Sequence, residues 1–348
     1  MAALPSPPAE NNRQPDQGMQ WLEQHWYRTT PLHLILLPVS FIFRMLAATR
    51  RALYRSSILT SVKLPAPVIV VGNITVGGSG KTPLTLWLAQ QLIDSGWHPG
   101  IISRGHGGST LSPLAVHASS SPDEAGDEAV LMAQRKLCPV WIGRDRVGVA
   151  RALLQAHPEC DIVLSDDGLQ HYRLQRDFEI AVVDGTRRFG NGFLLPAGPL
   201  REPLPRLTQV DAVVIIGGMA TKGQHSMQLH GEIFYNLLNP NTSAQVTDFY
   251  GQRLHAIAGI GHPQRFFTHL KRLGLKAQAH PFPDHHRFTP ADLDYTDADA
   301  ILMTEKDAVK CSIFANEKCW VLRVDAQLDS LLTQQILEKV TSDGRQTA

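Results

Sequence analysis

The chain has 348 residues, of which 43% are hydrophobic and 19% charged. At about 150 residues per domain this predicts two folded units, and it excludes both a lone small module and a disordered chain. Basic residues (33) and acidic residues (32) leave a formal charge of +1, so no overall field draws the protein to nucleic acid and any electrostatic role belongs to local clusters.

The first twenty residues, rich in Pro, Asn and Gln, read as a disordered tail. Residues 21–60 read as an amphipathic, membrane-associated helical segment, starting too late and lacking the basic flank of a signal peptide. The 15 residues between Arg28 and Arg44 carry no formal charge. At about 1.5 Å each they reach about 22 Å, short of a ~30 Å hydrocarbon core, so the expectation is a surface-lying helix rather than a simple span. On a helical wheel His33, Ser40, Arg44, Arg51 and Arg55 form a narrow polar and cationic stripe. Leu34, Ile35, Leu37, Phe41, Ile42, Phe43, Met45 and Leu46 surround it, and Trp21, Trp26 and Tyr27 lie upstream as interfacial anchors. Pro38 predicts a kink. No acidic residue occurs between Glu23 and Asp94, while Arg28, Arg44, Arg50, Arg51, Arg55, Lys63 and Lys81 do, a bias suited to an anionic membrane surface. The competing reading is a helix docked on its own domain.

From residue 65 short apolar runs alternate with helical patterns: PVIVVGN, IISRG, VWIG, DIVLSDD, FEIAVVDG and AVVIIGG. Continuous apolar strands of this kind are buried on both faces and predict an α/β fold, a parallel sheet flanked by helices. A second series, GEIFYNL, HAIAGIG, AQAHPF, AILMTEKD and CWVLRV, follows a polar stretch near Thr221 to Gln228. The expected division is a nucleotide-binding unit over 61–220 and a smaller α/β unit with a C-terminal helix over 221–348, the catalytic cleft lying between them. The four cysteines, Cys138, Cys160, Cys311 and Cys319, include no CxxC pair, which argues against a structural zinc site and for reduced thiols in a cytosolic compartment.

The strongest chemical signal follows the first strand, where Gly72-Asn73-Ile74 leads into Thr75-Val76-Gly77-Gly78-Ser79-Gly80-Lys81-Thr82 and then a helical run. Glycines let backbone N–H groups converge on phosphate oxygens and the helix N-terminus adds its positive end. Lys81 neutralises phosphate charge, and the Thr82 hydroxyl is placed to ligate Mg²⁺. Thr75 stands where the GxxxxGK[ST] pattern has its first Gly. The strand Ile162-Val163-Leu164 ends at Ser165-Asp166-Asp167, where a carboxylate on the C-terminal sheet edge faces the phosphate loop and suits a metal.

Phosphate loops serve switches and kinases alike. The extra loop Lys of membrane-switch ATPases is absent, Val76 standing in its place, and the guanine signature N-K-x-D fails: Thr304-Glu305-Lys306-Asp307 has its Lys one position late and closes a strand of the second unit. A kinase needs a carboxylate to orient or deprotonate its acceptor. Asp127 and Glu128, opening the run GDEAVLMAQR, are candidates, with helix capping the competing reading.

These motifs, with SRGHGG at 103–108, AGDEAVLM at 125–132, SDDGLQHYRLQRD at 165–177, DGTRRFGNGFLLPAGPLREPLPRL at 184–207, AGIGHPQRFF at 258–267, PDHH at 283–286 and TEKDAVKC at 304–311, resemble the tetraacyldisaccharide 4'-kinase family, the lipid A 4'-kinases of Gram-negative bacteria. That family resembles this chain in lacking the first loop Gly, whereas His106 departs from its usual SRGYGG. The resemblance implies transfer of the ATP γ-phosphoryl group to the 4'-hydroxyl of an acylated glucosamine disaccharide 1-phosphate at the cytoplasmic face of the bacterial inner membrane. Its cofactors are ATP and Mg²⁺, and neither nucleic acid nor an obligate protein partner is expected. By matched position it makes Asp127 the base on the sugar hydroxyl and His285 its partner. Glu128, Arg146, Gln170, His171, Arg201 and Glu202 take positioning roles around metal, phosphate and acceptor. Two rivals remain: a membrane-associated ATPase switch that transfers nothing, and a soluble small-molecule kinase whose apolar N-terminus is core.

Overall fold

A computed structural model describes residues 25–27, 30–110 and 112–342, so the expected tail and Trp21 lie outside the described residues. The strands are β1 (Val68–Gly72), β2 (Pro99–Ser103), β3 (Leu114–Val116), β4 (Val140–Ile142), β5 (Ile162–Asp166), β6 (Phe178–Asp184), β7 (Ala212–Ile216) and β8 (His225–His230). They continue with β9 (Ile233–Asn236), β10 (Ser243–Gln245), β11 (Leu254–Ala258), β12 (Ala277–Pro281), β13 (Ala300–Thr304), β14 (Cys319–Leu322) and β15 (Asp325–Gln327). The α-helices are α1 (Leu32–Arg55), α2 (Lys81–Asp94), α3 (Pro122–Ala125), α4 (Asp127–Gln134), α5 (Arg146–Ala156), α6 (Pro263–Arg272), α7 (Glu305–Cys311) and α8 (Leu331–Ser342).

Nine strands form the first sheet in the order β15-β8-β7-β6-β1-β5-β2-β4-β3. All neighbours are parallel except the outermost pairs, β15 with β8 and β3 with β4. Every residue of β1 is buried, Ile69 and Val71 in the core on one face and Val68 and Val70 in the core on the other. Burying each such side chain contributes roughly 1.5–3 kcal/mol. The second sheet, β10-β9-β14-β13-β11-β12, is parallel over its last four strands and likewise packed on both faces.

The expected division at 220 and 221 does not coincide with the sheets. Strand β8 pairs in parallel with β7, and after the second sheet the chain returns, adding β15 beside β8 and packing Leu332, Ile336 and Val340 of α8 into the first core. Strand β8 hides in a polar stretch because only alternate residues, His225 and Met227, are buried; α8 presents its apolar residues four apart, one face of a helix. The second lobe is thus an insertion between two strands of the first.

Helix α1 is inverted relative to a core helix. His33 and Ser40 are its buried residues. Ser40 Oγ donates to Leu194 O at 2.9 Å and accepts from Ala197 N at 2.9 Å, and Asn191 Nδ2 lies 3.3 Å from His33 Nδ1. Leu34, Ile35, Phe41, Ile42 and Leu46 meanwhile stand 58–73% exposed. The helix has 24 residues, about 36 Å at 1.5 Å each, with Pro38 accommodated inside it. Among the described residues it is the helix long and apolar enough to cross a membrane, with mean hydropathy 1.8 over its apolar window; it overlaps the charge-free stretch over residues 32–43 and runs on to Arg55. Trp26 is not an exposed anchor, being 3% exposed with Nε1 donating to Pro196 O at 2.9 Å. Tyr27 stays partly exposed, the Arg187 guanidinium 5.9 Å from its ring centroid.

Candidate active site

The loop after β1 turns on glycine: Gly77 has φ 96° and Gly80 φ 79°, in the left-handed region that costs other residues about 1–2 kcal/mol. Gly80 caps α2, so the helix begins at Lys81 and its free N–H groups open onto the loop. Neighbouring segments hold this loop in place. Val76 N donates to Pro199 O at 2.8 Å and Arg201 N to Ile74 O at 2.7 Å. Gln170 Nε2 donates to Asn73 O at 3.0 Å, and Arg187 donates to Gly78 O.

Behind the loop, β5 delivers two aspartates with opposite environments. Asp167 is engaged by Lys81 Nζ at 3.4 Å and Arg201 Nη1 at 3.3 Å; burial opposes its ionisation, but these two cations hold its carboxyl well below the usual range. Asp166 is 1% exposed. Its Oδ1 accepts from Thr85 Oγ1 at 3.1 Å, whereas its Oδ2 is buried without a hydrogen-bond partner, and burial, then the Glu128 charge, push it up to about 7. An orphaned carboxylate oxygen is costly to bury, and with the Thr82 hydroxyl it offers the hard oxygen donors that Mg²⁺ prefers. Among the described residues no three His, Cys, Asp or Glu side chains converge on a metal, so such an ion would complete its shell with phosphate oxygens and water.

The third element is a cluster formed by both lobes. Asp127, 6% exposed at the start of α4, has Oδ2 at 3.3 Å from His285 Nδ1, a residue of the second lobe. Lys306, from the first turn of α7, places Nζ 3.3 Å from Glu128 Oε1, 3.5 Å from Asp284 Oδ1 and 3.8 Å from Asp127 Oδ2. Burial disfavours the Asp127 anion, but the hydrogen bond from His285 and the charge of Lys306 outweigh it and hold the carboxyl at about 2. The same hydrogen bond raises the pKa of His285. The His106 ring stands edge-on to His285 with centroids 5.3 Å apart; burial, then the His285 charge, lower its pKa.

A cleft of about 2250 Å³ joins these elements, lined among others by Phe43 and Leu46 of α1, Lys81, Asp166, Glu128 and His285. That exceeds a typical small-ligand pocket several-fold and leaves room for two substrates. Other expected residues fall at different distances from it. Gln170 and Glu202 line it, yet Glu202 is 4% exposed, accepts from Gln170 Nε2 at 2.7 Å and Tyr172 Oη at 2.6 Å, and pairs with Arg206 at 3.3 Å, so both brace the phosphate loop from behind. Arg146 departs from the phosphate-positioning expectation. It is 2% exposed and donates to Asp166 O at 2.8 Å and Gly143 O at 3.4 Å, fixing the backbone at Asp166. Burial, then Arg146 and Arg104, lower His171 to about 4, making it a neutral imidazole. Sequence reasoning missed Lys306 and Asp284: TEKD does close β13, Thr304 capping α7 by accepting from Asp307 N, but its lysine turns into the cleft.

Two α/β lobes around a strand–glycine loop–helix unit, with paired carboxylates at the adjacent strand end, define a protein of the P-loop nucleotide-binding class. The family model described as tetraacyldisaccharide-1-P 4'-kinase matches residues 32–341, and the chain belongs to that family. Tetraacyldisaccharide 4'-kinases of Methylobacillus flagellatus and of Azoarcus sp. are 52% and 51% identical to it, over 92% and 93% of this chain and 96% of each relative. A crystal structure of LpxK from Aquifex aeolicus in complex with ATP superposes with a TM-score of 0.74 at 31% identity, covering 89% of this chain and 99% of that one.

Proposed function

We propose that the chain is an ATP-dependent 4'-kinase acting on a tetraacylated glucosamine disaccharide 1-phosphate, producing lipid IVA and ADP in lipid A synthesis. The observation that carries this reading is the single cleft in which the phosphate loop, His285 and the apolar helix α1 meet. ATP supplies the γ-phosphoryl group, its phosphates lying along residues 75–82 with Lys81 neutralising charge on the transferred group. Thr82 and Asp166 would hold Mg²⁺, which neutralises phosphate charge when bound.

The bond from the γ-phosphorus to the ADP oxygen breaks as one to the sugar 4'-oxygen forms, and the hydroxyl proton passes to Asp127. A carboxyl held near 2 is a weak base for a free alcohol. In a loose phosphoryl-transfer transition state the alcohol loses its proton late, after bonding to phosphorus has made it acidic, so orientation matters more than strength. His285 holds the Asp127 carboxylate, fixing the oxygen that faces the acceptor. Arg201, which pairs with Asp167, would fork onto phosphate in this reading.

The outward apolar face of α1, with its flanking arginines, suits a cytoplasmic membrane surface where the acyl chains stay in the bilayer and the sugar head enters the cleft. The test incubates the protein with Mg-ATP labelled at the γ position and the acylated disaccharide 1-phosphate. Labelled lipid is expected; free phosphate alone would instead support a nucleotide switch.

A further inference from the structure

We propose that Lys306 is a positioning residue that latches the two lobes together and, by its charge, keeps Asp127 ionised and aimed. This inference rests on Asp127 being the base. Lys306 belongs to the second lobe, directly after β13. Two of its three carboxylate partners, Asp127 and Glu128, open α4 of the first lobe, and the third, Asp284, neighbours His285 in its own lobe. Its side chain is 16% exposed. An ammonium so enclosed pays a desolvation cost, here outweighed by the charges of Glu128, Asp127 and Asp284, which raise its pKa.

Without Lys306, three carboxylates would meet across the lobe boundary with His285 as the nearest partial counter-charge. Like charges at that spacing repel, and the repulsion has two outlets: the lobes part, or a carboxyl takes up a proton. Asp127 is the more exposed to the second outcome because it is the most buried of the three. Its geometry depends on the latch as well. Oδ1 accepts from Glu128 N at 2.9 Å, while Oδ2 is held between His285 and Lys306. The charged and titratable groups around this point are Asp127 and Glu128 from α4, Asp284 and His285 from the loop after β12, Arg104 and His106 from the loop after β2, and Lys310 from α7.

Full-length Lys306→Met, Lys306→Gln and Lys306→Arg proteins, with Asp127→Asn as benchmark, are assayed with Mg-ATP and the acylated disaccharide 1-phosphate, measuring kcat and each KM as a function of pH. Lys306→Met is expected to lower kcat about tenfold or more, yet less than the ~10²–10⁴-fold that removal of a base costs. Its acid limb should move to higher pH while the KM for ATP stays within about twofold. Lys306→Arg should restore the limb and Lys306→Gln should not; the glutamine protein also decides the matter should the methionine protein not fold. An unmoved acid limb in both neutral variants overturns the latch, as does a rise in ATP KM alone, which would make Lys306 a phosphate ligand. Full turnover by Asp127→Asn would instead remove the base assignment itself.

Discussion

Asp127 Oδ2 and His285 Nδ1 lie 3.3 Å apart across the boundary between the lobes, although one residue opens a first-lobe helix and the other sits in a second-lobe loop. The pair takes one residue from each lobe, so a separation of the lobes would break it. Asp127→Asn keeps the size of the side chain and removes the anion. A fall in kcat of about 10²–10⁴-fold with little change in ATP binding is expected. Steady-state kinetics beside calorimetric titration with an ATP analogue check this, and kcat close to that of the unaltered protein would sink the base role.

The same pair makes stability depend on pH in a defined window. Asp127 is lowered from 3.8 to about 2, so its contribution is present above 3.8 and disappears as pH falls toward 2. His285 is raised above 6.5, so its contribution is present below 6.5 and disappears as pH rises through the raised value. Both act together between roughly 4 and 6.5. Melting temperatures of the unaltered protein and of His285→Asn should therefore differ most in that window and converge on the alkaline side. A difference that grows with rising pH would contradict the ion pair.

Backbone geometry sets the start of α4. Gly126 has φ 85°, and a Cβ there would come within 2.4 Å of His106 O and 3.1 Å of Gly105 C. Both are backbone atoms, so no side-chain rotation relieves the clash. Gly126→Ala is expected to destabilise the fold by about 1 kcal/mol or more and to lower kcat by shifting Asp127 and the His106 loop together. Chemical denaturation and kinetics check the two effects, and retention of both would show that this segment adapts.

The parallel strands were legible because burial on both faces demands unbroken apolar runs, and β1, β5, β6, β7, β11 and β13 all carry them. The phosphate loop was legible because its chemistry is local: glycines, lysine and threonine must be consecutive. Strands β8 and β15 were not: β8, although paired on both sides, buries only His225 and Met227, and β15, at the sheet edge, buries no residue fully, so neither carries an unbroken apolar run. Lys306 was invisible for another reason. A lysine after a strand looks solvated until the topology brings three carboxylates to it from two lobes. Arg146 shows the opposite error: its residue type suits phosphate, but only the fold reveals that its guanidinium is taken up by backbone carbonyls.

Helix α1 separates two kinds of stabilisation along one element. Its buried Ser40 bonds to Leu194 and Ala197, so Ser40→Ala should cost about 1 kcal/mol of stability and leave membrane binding intact. Leu34, Ile35 and Phe41 are 71%, 73% and 62% exposed, lie outside the cleft lining and have little packing to lose. Replacing these three by glutamate should leave the melting temperature and ATP-analogue binding close to those of the unaltered protein. Each leucine-sized side chain that enters a bilayer gains roughly 1.5–3 kcal/mol, and each glutamate adds repulsion from anionic lipid. Partitioning onto anionic vesicles should then weaken by about 100-fold or more, and turnover of bilayer-embedded acceptor should fall with it while turnover of detergent-dispersed acceptor falls less. Vesicle flotation and the two kinetic assays measure these effects; unchanged flotation would mean that the outward apolar face docks on something other than lipid.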